Sequence, residues 1–340
     1  MSRVAVVILN YNGEKLLREF LPSVLANSGD ADIYVADNGS TDGSLALLER
    51  EFPAVSRIPL SQNYGFCGGY NRALEQVDAE YYVLLNSDVE VTPGWLEPLT
   101  ALMDSNSLVA AVQPKILSYR HRPQFEYAGA GGGFIDSFGY PFCRGRLFEH
   151  VENDEGQYND TRQVFWASGA CMMIRSEQYH HFGGLDEDFF AHMEEIDLCW
   201  KIQRTGSQIW YCGQSTVYHL GAGTLDYNSP RKAFLNFRNG LNMLIKHYSA
   251  GDLLVKLPVR IVLDWVASLM FLIKGKPRVM WAVWRAHVEV IRNLSRTLSR
   301  RSALVRAYPS YPRDLIFPGL ALLYTLPGRR NKLGWPSSPK

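Results

Sequence analysis

Tyr82-Val-Leu-Leu-Asn-Ser-Asp-Val-Glu-Val91 is the stretch from which the fold can be worked out. It is apolar through Leu85, polar at Asn86-Ser87-Asp88, and then alternates Val-Glu-Val. A continuous Val/Ile/Leu run is typical of a strand buried inside an α/β sheet. The stretch therefore predicts a buried strand that ends in hydrogen-bonding residues, one of them a carboxylate, before a second short strand.

Predicted strands and helices alternate on both sides of this stretch. Strands separated by helices of this length form βαβ units, so we expect an α/β fold with a mostly parallel sheet flanked by helices. The predicted strands are Val4–Leu9, Ile33–Ala36, Val55–Pro59, Tyr81–Asn86 and Val109–Val112, and the predicted helices are Glu14–Asn27, Gly43–Phe52, 65–77 and 92–104, the last with Thr92 as its cap.

The rest of the chain changes character twice. Residues 114–163 are rich in glycine and aromatic residues and predict a long excursion with short strands. A regular apolar pattern resumes at 164–174. A helix over Glu194–Thr205 and a strand ending at His219 are predicted after it. From Pro230 to the end the sequence predicts helices. We therefore expect an α/β domain over residues 1–228 and a helical C-terminal region over 229–340.

The polar breaks between these elements indicate where a ligand would bind. In open α/β sheets, ligands bind beyond the carboxyl ends of the strands. The segments Asn10–Gly13, Asp37–Asp42, Asn63–Gly69 and Asn86–Asp88 all fall at strand or connection ends. We expect these segments to gather along one edge of the sheet.

Several side chains in these segments are candidates for chemistry, each with a structural alternative. Beside another hard ligand, Asp88 would hold Mg²⁺ or Mn²⁺ and bridge it to substrate phosphates; alone, it would cap the next turn. Asp37 suits a hydrogen bond to a ribose or base, or an Asx-turn. His219 is a candidate ligand, although a lone histidine is more often structural. Gly65-Phe-Cys-Gly-Gly69 resembles a dinucleotide fingerprint only loosely, which disfavours an oxidoreductase.

Phe190-Ala-His-Met-Glu-Glu-Ile-Asp-Leu-Cys-Trp200 brings Glu194, Glu195 and Asp197 to the start of a helix. The helix dipole favours negative charge there, which is the structural explanation for these residues. However, Glu194 and Glu195 adjoin an aromatic cluster, where a partly desolvated carboxylate gains basicity. They are therefore candidates for a general base.

Taken in order, these segments resemble the family 2 glycosyltransferases, inverting enzymes of the GT-A fold, and most closely the rhamnosyltransferase-like branch that builds bacterial surface polysaccharide and lipid-linked glycans. The resemblance covers roughly residues 3–225. The segments that carry it are Val7–Gly13, Asp37–Asp42, Asn63–Asn71, Leu84–Glu90, Ser168–Ala170, Phe189–Asp197 and His219.

The resemblance implies a role for each matching residue. Glu195 would be the general base, and Asp88 and His219 would bind a divalent cation, Mn²⁺ or Mg²⁺. Asn86 stands where the family usually has the first Asp of its metal-binding pair. The donor side would include Asn10, Asp37, Asn63, Gly65, Gly68, Asn86, Ser87 and Asp88, and the acceptor side Trp166, Gly169 and Glu194.

The implied activity moves a sugar from a nucleotide-diphosphate sugar to a hydroxyl of a glycan or lipid-linked acceptor in cell-surface polysaccharide synthesis. The metal would act as a Lewis acid on the leaving diphosphate. The alternative is a nucleotide-sugar-binding protein that has lost catalysis.

Charge is distributed unevenly along the 340 residues, of which 46% are apolar and 20% charged. Residues 1–250 carry 19 Lys/Arg and 30 Asp/Glu, a net −11, whereas residues 251–340 carry 16 and 4, a net +12. The tail's longest uncharged runs, Leu315–Gly328 and Trp265–Ile273, are shorter than the ~20 apolar residues that a span needs. Its basic cluster consists of Arg292, Arg296, Arg300, Arg301 and Arg306.

Three partners suit such a tail: an anionic membrane surface, nucleic acid, or solvent alone. We favour the membrane and expect no nucleic acid, because a membrane would bring the site to a lipid-linked acceptor. The first residues are typical of a strand rather than a signal peptide, and five cysteines without a CxxC pair suit reduced thiols. We therefore expect a cytoplasmic protein that is peripheral at the inner face of the cell membrane.

Overall fold

Strands and helices alternate through the first part of the chain, as the sequence predicts. The computed structural model describes residues 2–221 and 229–325. Its strands are β1 Ser2–Asn10, β2 Asp32–Asp37, β3 Ser56–Pro59, β4 Ala79–Asn86, β5 Val89–Val91, β6 Val109–Ser118, β7 Gly133–Asp136, β8 Pro141–Cys143, β9 Arg146–Leu147, β10 His150–Val151, β11 Thr161–Val164, β12 Cys171–Arg175, β13 Gln208–His219 and β14 Ile316–Phe317. Its α-helices are α1 Glu14–Asn27, α2 Ser44–Glu51, α3 Gly65–Leu74, α4 Leu96–Ser105, α5 Ser176–His181, α6 Glu194–Gln203, α7 Pro230–His247, α8 Ala250–Ile273, α9 Pro277–Arg292 and α10 Leu294–Ala307.

The larger sheet has the order β11-β13-β6-β12-β4-β1-β2-β3, and β5 also pairs with β13. Strands β3, β2, β1 and β4 are parallel, because helices α1, α2 and α3 return the chain between them. Strand β12 lies between β4 and β6 and runs antiparallel to both. Two apolar clusters cover the two faces of this sheet. The predicted α/β class with flanking helices is confirmed.

The glycine-rich excursion forms a second, smaller sheet with the order β10-β9-β8-β7-β14. Its last strand comes from the C-terminal region, where Ile316 pairs with Ile135 in parallel. The prediction of helix from Pro230 to the end is therefore wrong beyond α10, where a strand and two short 3₁₀-helices follow. Residues 326–340 of that prediction lie outside the described part of the chain.

Helix α4 begins later than the sequence predicts. Thr92 does not cap it; its hydroxyl donates to the carbonyl of Thr216, 2.7 Å away, and so ties the loop to β13. Gly94, with φ of 71°, turns the chain before the helix begins at Leu96. The Thr-Pro pair therefore marks a turn.

Helix α7 joins the C-terminal region to the α/β domain. Its buried Lys246 contacts Asp186 and Asp197 at 2.7 Å each. The predicted boundary between residues 228 and 229 falls at the end of residues 222–228, which lie outside the described part. In the described residues, no helix has the length and apolarity to cross a bilayer.

Candidate active site

Three polar side chains lie together at the carboxyl ends of parallel strands. Register pairs Asn10 of β1 with Asp37 of β2, and Leu9 with Asn86 of β4. The Asn10 amide donates to Asp37 Oδ1 at 3.0 Å, and the Ser40 N–H donates to Asp37 Oδ2 at 2.9 Å. Asp37 therefore contacts its own turn, as the alternative to a nucleotide contact predicted. It does so at the sheet edge where the nucleotide-sugar is expected to bind.

The segment from Asn63 to Gly65 is fixed by Asn38, a residue that the sequence did not single out. Asn38 Nδ2 donates to Asn63 Oδ1 at 3.2 Å and to the Gly65 carbonyl at 2.9 Å. Gly65 has φ of 73°, and a Cβ there would lie 2.6 Å from the Phe190 ring. Gly68 is buried inside α3. The positive φ and the close Phe190 ring both require glycine at position 65, where the donor side meets the loop before α6.

Asp88 and His219 converge although 131 residues separate them. His219 Nε2 lies 3.1 Å from Asp88 Oδ1, and its Nδ1 lies 3.2 Å from Glu126 Oε2. All three side chains are buried. Burial opposes the charge on His219, but Glu126 and Asp88 outweigh it and raise the pKa of His219 to about 10. Two carboxylates therefore hold one positive charge at this position.

The donor set at this position fits a divalent cation. A metal-binding histidine usually presents one ring nitrogen to the metal and the other to a carboxylate. In His219, Nδ1 faces the Glu126 carboxylate, and Nε2 faces Asp88, the other proposed metal ligand. In the described residues, no three His, Cys, Asp or Glu side chains are placed to hold a cation by themselves. A cation bound by Asp88 and His219 would therefore need substrate phosphate oxygens to complete its coordination.

Glu194 and Glu195 are the first two residues of α6, and each has an Oε2 that is shielded from solvent and lacks a hydrogen-bond partner in the described structure. Burial raises the pKa of Glu195 to about 7, against the opposing effect of nearby backbone N–H groups, including that of Gly169. Burial, and then the charge of Glu195, raises the pKa of Glu194 well above its usual value. Such a carboxylate accepts protons near neutral pH.

Glu195 and the Asp88 loop belong to one site because both adjoin the residues that lead into β12. The Asn86 N–H donates to the Ala170 carbonyl at 3.0 Å. The neighbouring Gly169 would place a Cβ 4.0 Å from the Cβ of Glu195. The candidate base and the candidate cation ligand therefore lie on two sides of the same short segment.

The loop before Glu194 is strained and is held by α7. Phe190, His192 and Met193 have φ values of 64°, 71° and 72°, which are costly for residues other than glycine. The Asn239 amide, fully buried, donates to the carbonyls of Phe189, Ala191 and His192 at 3.0, 2.9 and 2.8 Å. The C-terminal region thus fixes the backbone that presents the candidate base.

Comparison with known proteins identifies the scaffold. The family model described as "Glycosyl transferase family 2" matches residues 5–182, more than half of the chain. The chain belongs to glycosyl transferase family 2. An N-acetylglucosaminyl-diphospho-decaprenol L-rhamnosyltransferase of Mycobacterium tuberculosis is 27% identical to it over 320 residues, which are 88% of this chain and 97% of that protein.

Solved glycosyltransferases share the fold of this family 2 chain. A structure of GalNAc-T7 with UDP, GalNAc and Mn²⁺ superposes with a TM-score of 0.55 at 17% identity, covering 72% of this chain and 48% of that one. A mannosyltransferase from Pyrobaculum calidifontis, solved with GDP-Man and Mn²⁺, superposes with a TM-score of 0.52 at 14% identity, covering 97% and 82%. The predicted GT-A fold and the rhamnosyltransferase-like branch are confirmed, and the protein is a glycosyltransferase.

The structure of this family 2 glycosyltransferase brings most of the predicted site residues to one sheet edge, but not Trp166. Trp166 is buried, packs on Gly133, and donates its indole N–H to the Phe134 carbonyl at 2.8 Å. Its side chain fills the core between the two sheets. Ser87 lies near Gly13 at the edge itself, where a Cβ on that glycine would be 3.8 Å from the Ser87 hydroxyl.

Besides Asn38, two residues of the site were missed. Glu126 lies in the excursion over 114–163, where the sequence has little periodicity, and Asn239 lies in the predicted helical C-terminal region. An acidic residue between aromatic neighbours, Phe125-Glu126-Tyr127, was the available signal for the first. No local signal marked Asn239, because its three partners are backbone carbonyls about fifty residues away.

Proposed function

We propose that this glycosyltransferase is an inverting enzyme that transfers a hexosyl or deoxyhexosyl group to a lipid-linked glycan at the inner face of the cell membrane. The observation that carries the proposal is that Asn86 of the Asp88 loop and Glu195, whose Oε2 has no hydrogen-bond partner in the described structure, contact the same short segment, residues 169–170, while Asp88 pairs with His219. The similar rhamnosyltransferase, whose name specifies a diphospho-decaprenol acceptor, supports the acceptor class.

In this proposal the edge formed by Asn10, Asp37 and Asn63 binds the nucleotide, and Asp88 and His219 hold the cation. When bound, Mn²⁺ or Mg²⁺ would offset the negative charge of the departing diphosphate. The Mn²⁺ in two structures with the same fold is consistent with this assignment.

Glu195 takes the proton of the acceptor hydroxyl as that oxygen attacks the anomeric carbon. Its raised pKa makes the carboxylate a stronger base than an ordinary glutamate, and enough of it is ionised near pH 7 to act. The acceptor oxygen forms its new bond on the face opposite to the departing diphosphate, so the anomeric configuration inverts. No covalent bond between sugar and enzyme is required.

The exposed apolar face of α8 and α9 supports a membrane location. Trp265 and Trp284 stack at 5.7 Å and join the two helices. Such a face, long and apolar with basic residues beside it, suits the boundary between headgroups and acyl chains. It consists of Leu254, Val255, Val259, Val262, Trp265, Val266, Leu269, Met270, Leu272, Ile273, Trp281, Trp284, Val288 and Ile291.

The predicted arginine cluster plays a smaller part in this than the sequence suggests. Arg296 and Arg300 pair with Asp188 at 2.8 Å, and Arg300 also contacts Asp186. Arg301 donates to the carbonyls of Ile245 and Tyr248. These three arginines attach α10 to the rest of the protein, so the apolar face is the main candidate for membrane contact.

A donor screen tests the proposed activity. UDP-, GDP- and dTDP-sugars would be tested with and without Mn²⁺ by thermal shift, followed by transfer to a short-chain lipid-diphosphate sugar and determination of the product's anomeric configuration. The proposal requires metal-dependent stabilisation by one nucleotide class and an inverted product. A retained configuration overturns the assigned mechanism, and donor binding without turnover favours a protein that has lost catalysis.

A further inference from the structure

A cavity of about 450 Å³ lies between α7 and α9, beside Phe190 of the strained loop. Four arginines line it: Arg231 and Arg238 from α7, and Arg278 and Arg285 from α9. Among the residues that the structure describes, no acidic side chain lines it. Cavities of this volume hold ligands of moderate size.

Contacts with aromatic rings and backbone carbonyls position three of the four arginines. Arg231 and Arg285 lie over the rings of Phe190 and Phe234, at 5.0 and 5.4 Å from the ring centroids. Arg238 donates to the carbonyls of Asp188 and Phe189 at 2.8 and 3.0 Å. In the described residues none of the four arginines makes an ion pair with a carboxylate. Like charges held around one cavity repel each other unless an anion shares them.

The backbone adds to the same positive field. Pro230, the first residue of α7, lines the cavity, and Arg278 is the second residue of α9, so both helices begin there. Helix N-termini carry partial positive charge and favour phosphate. A guanidinium group donates two parallel hydrogen bonds to phosphoryl oxygens. Four such groups suit a diphosphate better than a single phosphate.

The surroundings of the cavity favour a lipid-borne anion. Trp281 lines the cavity and also belongs to the apolar face of α8 and α9, where it is 62% exposed. A hydrocarbon chain attached to an anion in the cavity can therefore continue along that face. On the other side, Phe190 lines the cavity and lies four residues before Glu194. A sugar attached to the anion would extend towards the candidate base.

We propose that this arginine cavity binds the diphosphate group of the lipid-linked acceptor, with the lipid along the apolar face and the sugar towards Glu195. The proposal rests on the function proposed above, which it extends from an acceptor class to an acceptor site. The site is distinct from the donor edge, because its lining comes from α7, α9 and Phe190 and contains none of the residues at the strand ends.

Binding measurements on the full chain without metal test this site. EDTA removes any cation from Asp88 and His219. A lipid diphosphate then cannot bind through a metal at that position, so any binding that is measured comes from another site. The probes are farnesyl diphosphate, farnesol and inorganic pyrophosphate, each titrated by calorimetry. We expect farnesyl diphosphate to bind at least about 10-fold more tightly than farnesol, because only the diphosphate can accept charge-assisted hydrogen bonds from the arginines.

The variants are Arg231→Gln combined with Arg278→Gln, and Arg285→Gln alone. We expect the double variant to lose at least about 10-fold in affinity for farnesyl diphosphate and to keep its affinity for nucleotide-sugar with Mn²⁺. Arg57→Gln, which removes an exposed charge on edge strand β3, is the matched control and is expected to change neither. Unchanged farnesyl diphosphate affinity in both arginine variants overturns the site.

Two further comparisons make the result specific. Vesicles of phosphatidylglycerol supply monophosphate headgroups; if the double variant loses vesicle binding as strongly as farnesyl diphosphate binding, the cavity recognises general lipid headgroups and the diphosphate assignment is wrong. Competition between nucleotide-sugar and farnesyl diphosphate would also overturn it. Because none of these measurements requires turnover, their failure is distinguishable from failure of the proposed transfer reaction.

Discussion

Asp197 Oδ1 and His247 Nε2 lie 2.9 Å apart, both fully buried, at the start of α6 and the end of α7. Burial alone would raise the pKa of Asp197, but Lys201, Lys246 and His247 lower it well below its usual value. Asp197 lies two residues after Glu195, so this contact fixes the helix that carries the candidate base to the C-terminal region. The helical region therefore helps to position the candidate base.

Replacement of Asn239 tests this dependence. Asn239→Ala removes three hydrogen bonds to the loop over 189–192; the carbonyls of Ala191 and His192 lose this donor, whereas the Phe189 carbonyl keeps the Arg238 guanidinium. We expect kcat to fall by at least about 10-fold through displacement of Glu195, with KM for the donor nearly unchanged. Stability should fall by about 1–3 kcal/mol. Steady-state kinetics and urea unfolding measure the two effects.

Asn236→Ala, one turn earlier on α7, is the control for this variant, because the structure gives that side chain no contact to the loop. It should leave kcat unchanged. An Asn239→Ala enzyme that loses stability but keeps its kcat at a temperature where it is folded would show that Asn239 is structural only.

Asp88 and Glu126 should both affect cation-dependent donor binding. We expect Asp88→Asn to reduce Mn²⁺-dependent affinity for nucleotide-sugar by at least about 10-fold, and Glu126→Gln, which keeps both proposed ligands, by about 10–100-fold. Calorimetric titration of the donor with and without Mn²⁺ measures this. Glu90→Gln is the control, since that carboxylate is bound to Arg122 at 2.8 Å and lies two residues from Asp88. Equal Mn²⁺ dependence in all three variants would exclude the proposed ligands.

Glu195→Gln should bind donor normally and lose transfer by about 10²–10⁴-fold. In the unchanged enzyme, kcat/KM should rise with pH through about 7, because the base acts only when ionised and its pKa is raised to that value. The rising limb should disappear with the Gln variant. A near-normal rate in Glu195→Gln would refute its role as base.

The raised pKa of Glu195 also predicts an effect on stability. Between the ordinary value of 4.5 and about 7, the folded chain holds the proton more tightly than the unfolded chain. Folding stability from this group is therefore greatest at low pH and decreases as pH rises through that window. We expect Glu195→Gln to be more stable than the unchanged protein at pH 8 and similar at pH 4.5. Denaturant unfolding at the two pH values is the check, and equal differences at both would contradict it.

The gathering of Asn10, Asp37 and Asn86 at one sheet edge could be predicted from sequence because its signals are local. A strand that ends in Asn86-Ser87-Asp88 must place those residues at the carboxyl edge, and parallel register aligns them with Asn10 and Asp37. The convergence of Asp88 and His219 was predicted through family resemblance. The residues alone left His219 as an ordinary buried histidine, since only β5–β13 pairing brings it to Asp88.

What could not be predicted depends on contacts between distant segments. Glu126 contacts His219 from an irregular segment of the chain. Asn239 binds a loop whose positive φ angles cannot be predicted from its residue types. Strand β14 was assigned as helix because its partner, β7, lies about 180 residues earlier and no local pattern records that pairing. The resemblance assigned Trp166 to the acceptor side; that its side chain packs between the two sheets depends on Gly133 and Phe134, which local sequence does not indicate.

The apolar face of α8 and α9 gives the most direct test of membrane location. Leu269 and Ile273 lie one helical turn apart on α8 and are 57% and 77% exposed. Leu269→Glu combined with Ile273→Glu should weaken binding to phosphatidylglycerol vesicles by at least about 10-fold, since burial of each side chain is worth about 1.5–3 kcal/mol. Leu108→Glu, 53% exposed before β6, is the control and should sediment with vesicles like the unchanged protein. If the double variant sediments equally well while its thermal unfolding is unchanged, the face does not enter the membrane, and the acceptor would have to reach Glu195 by another surface.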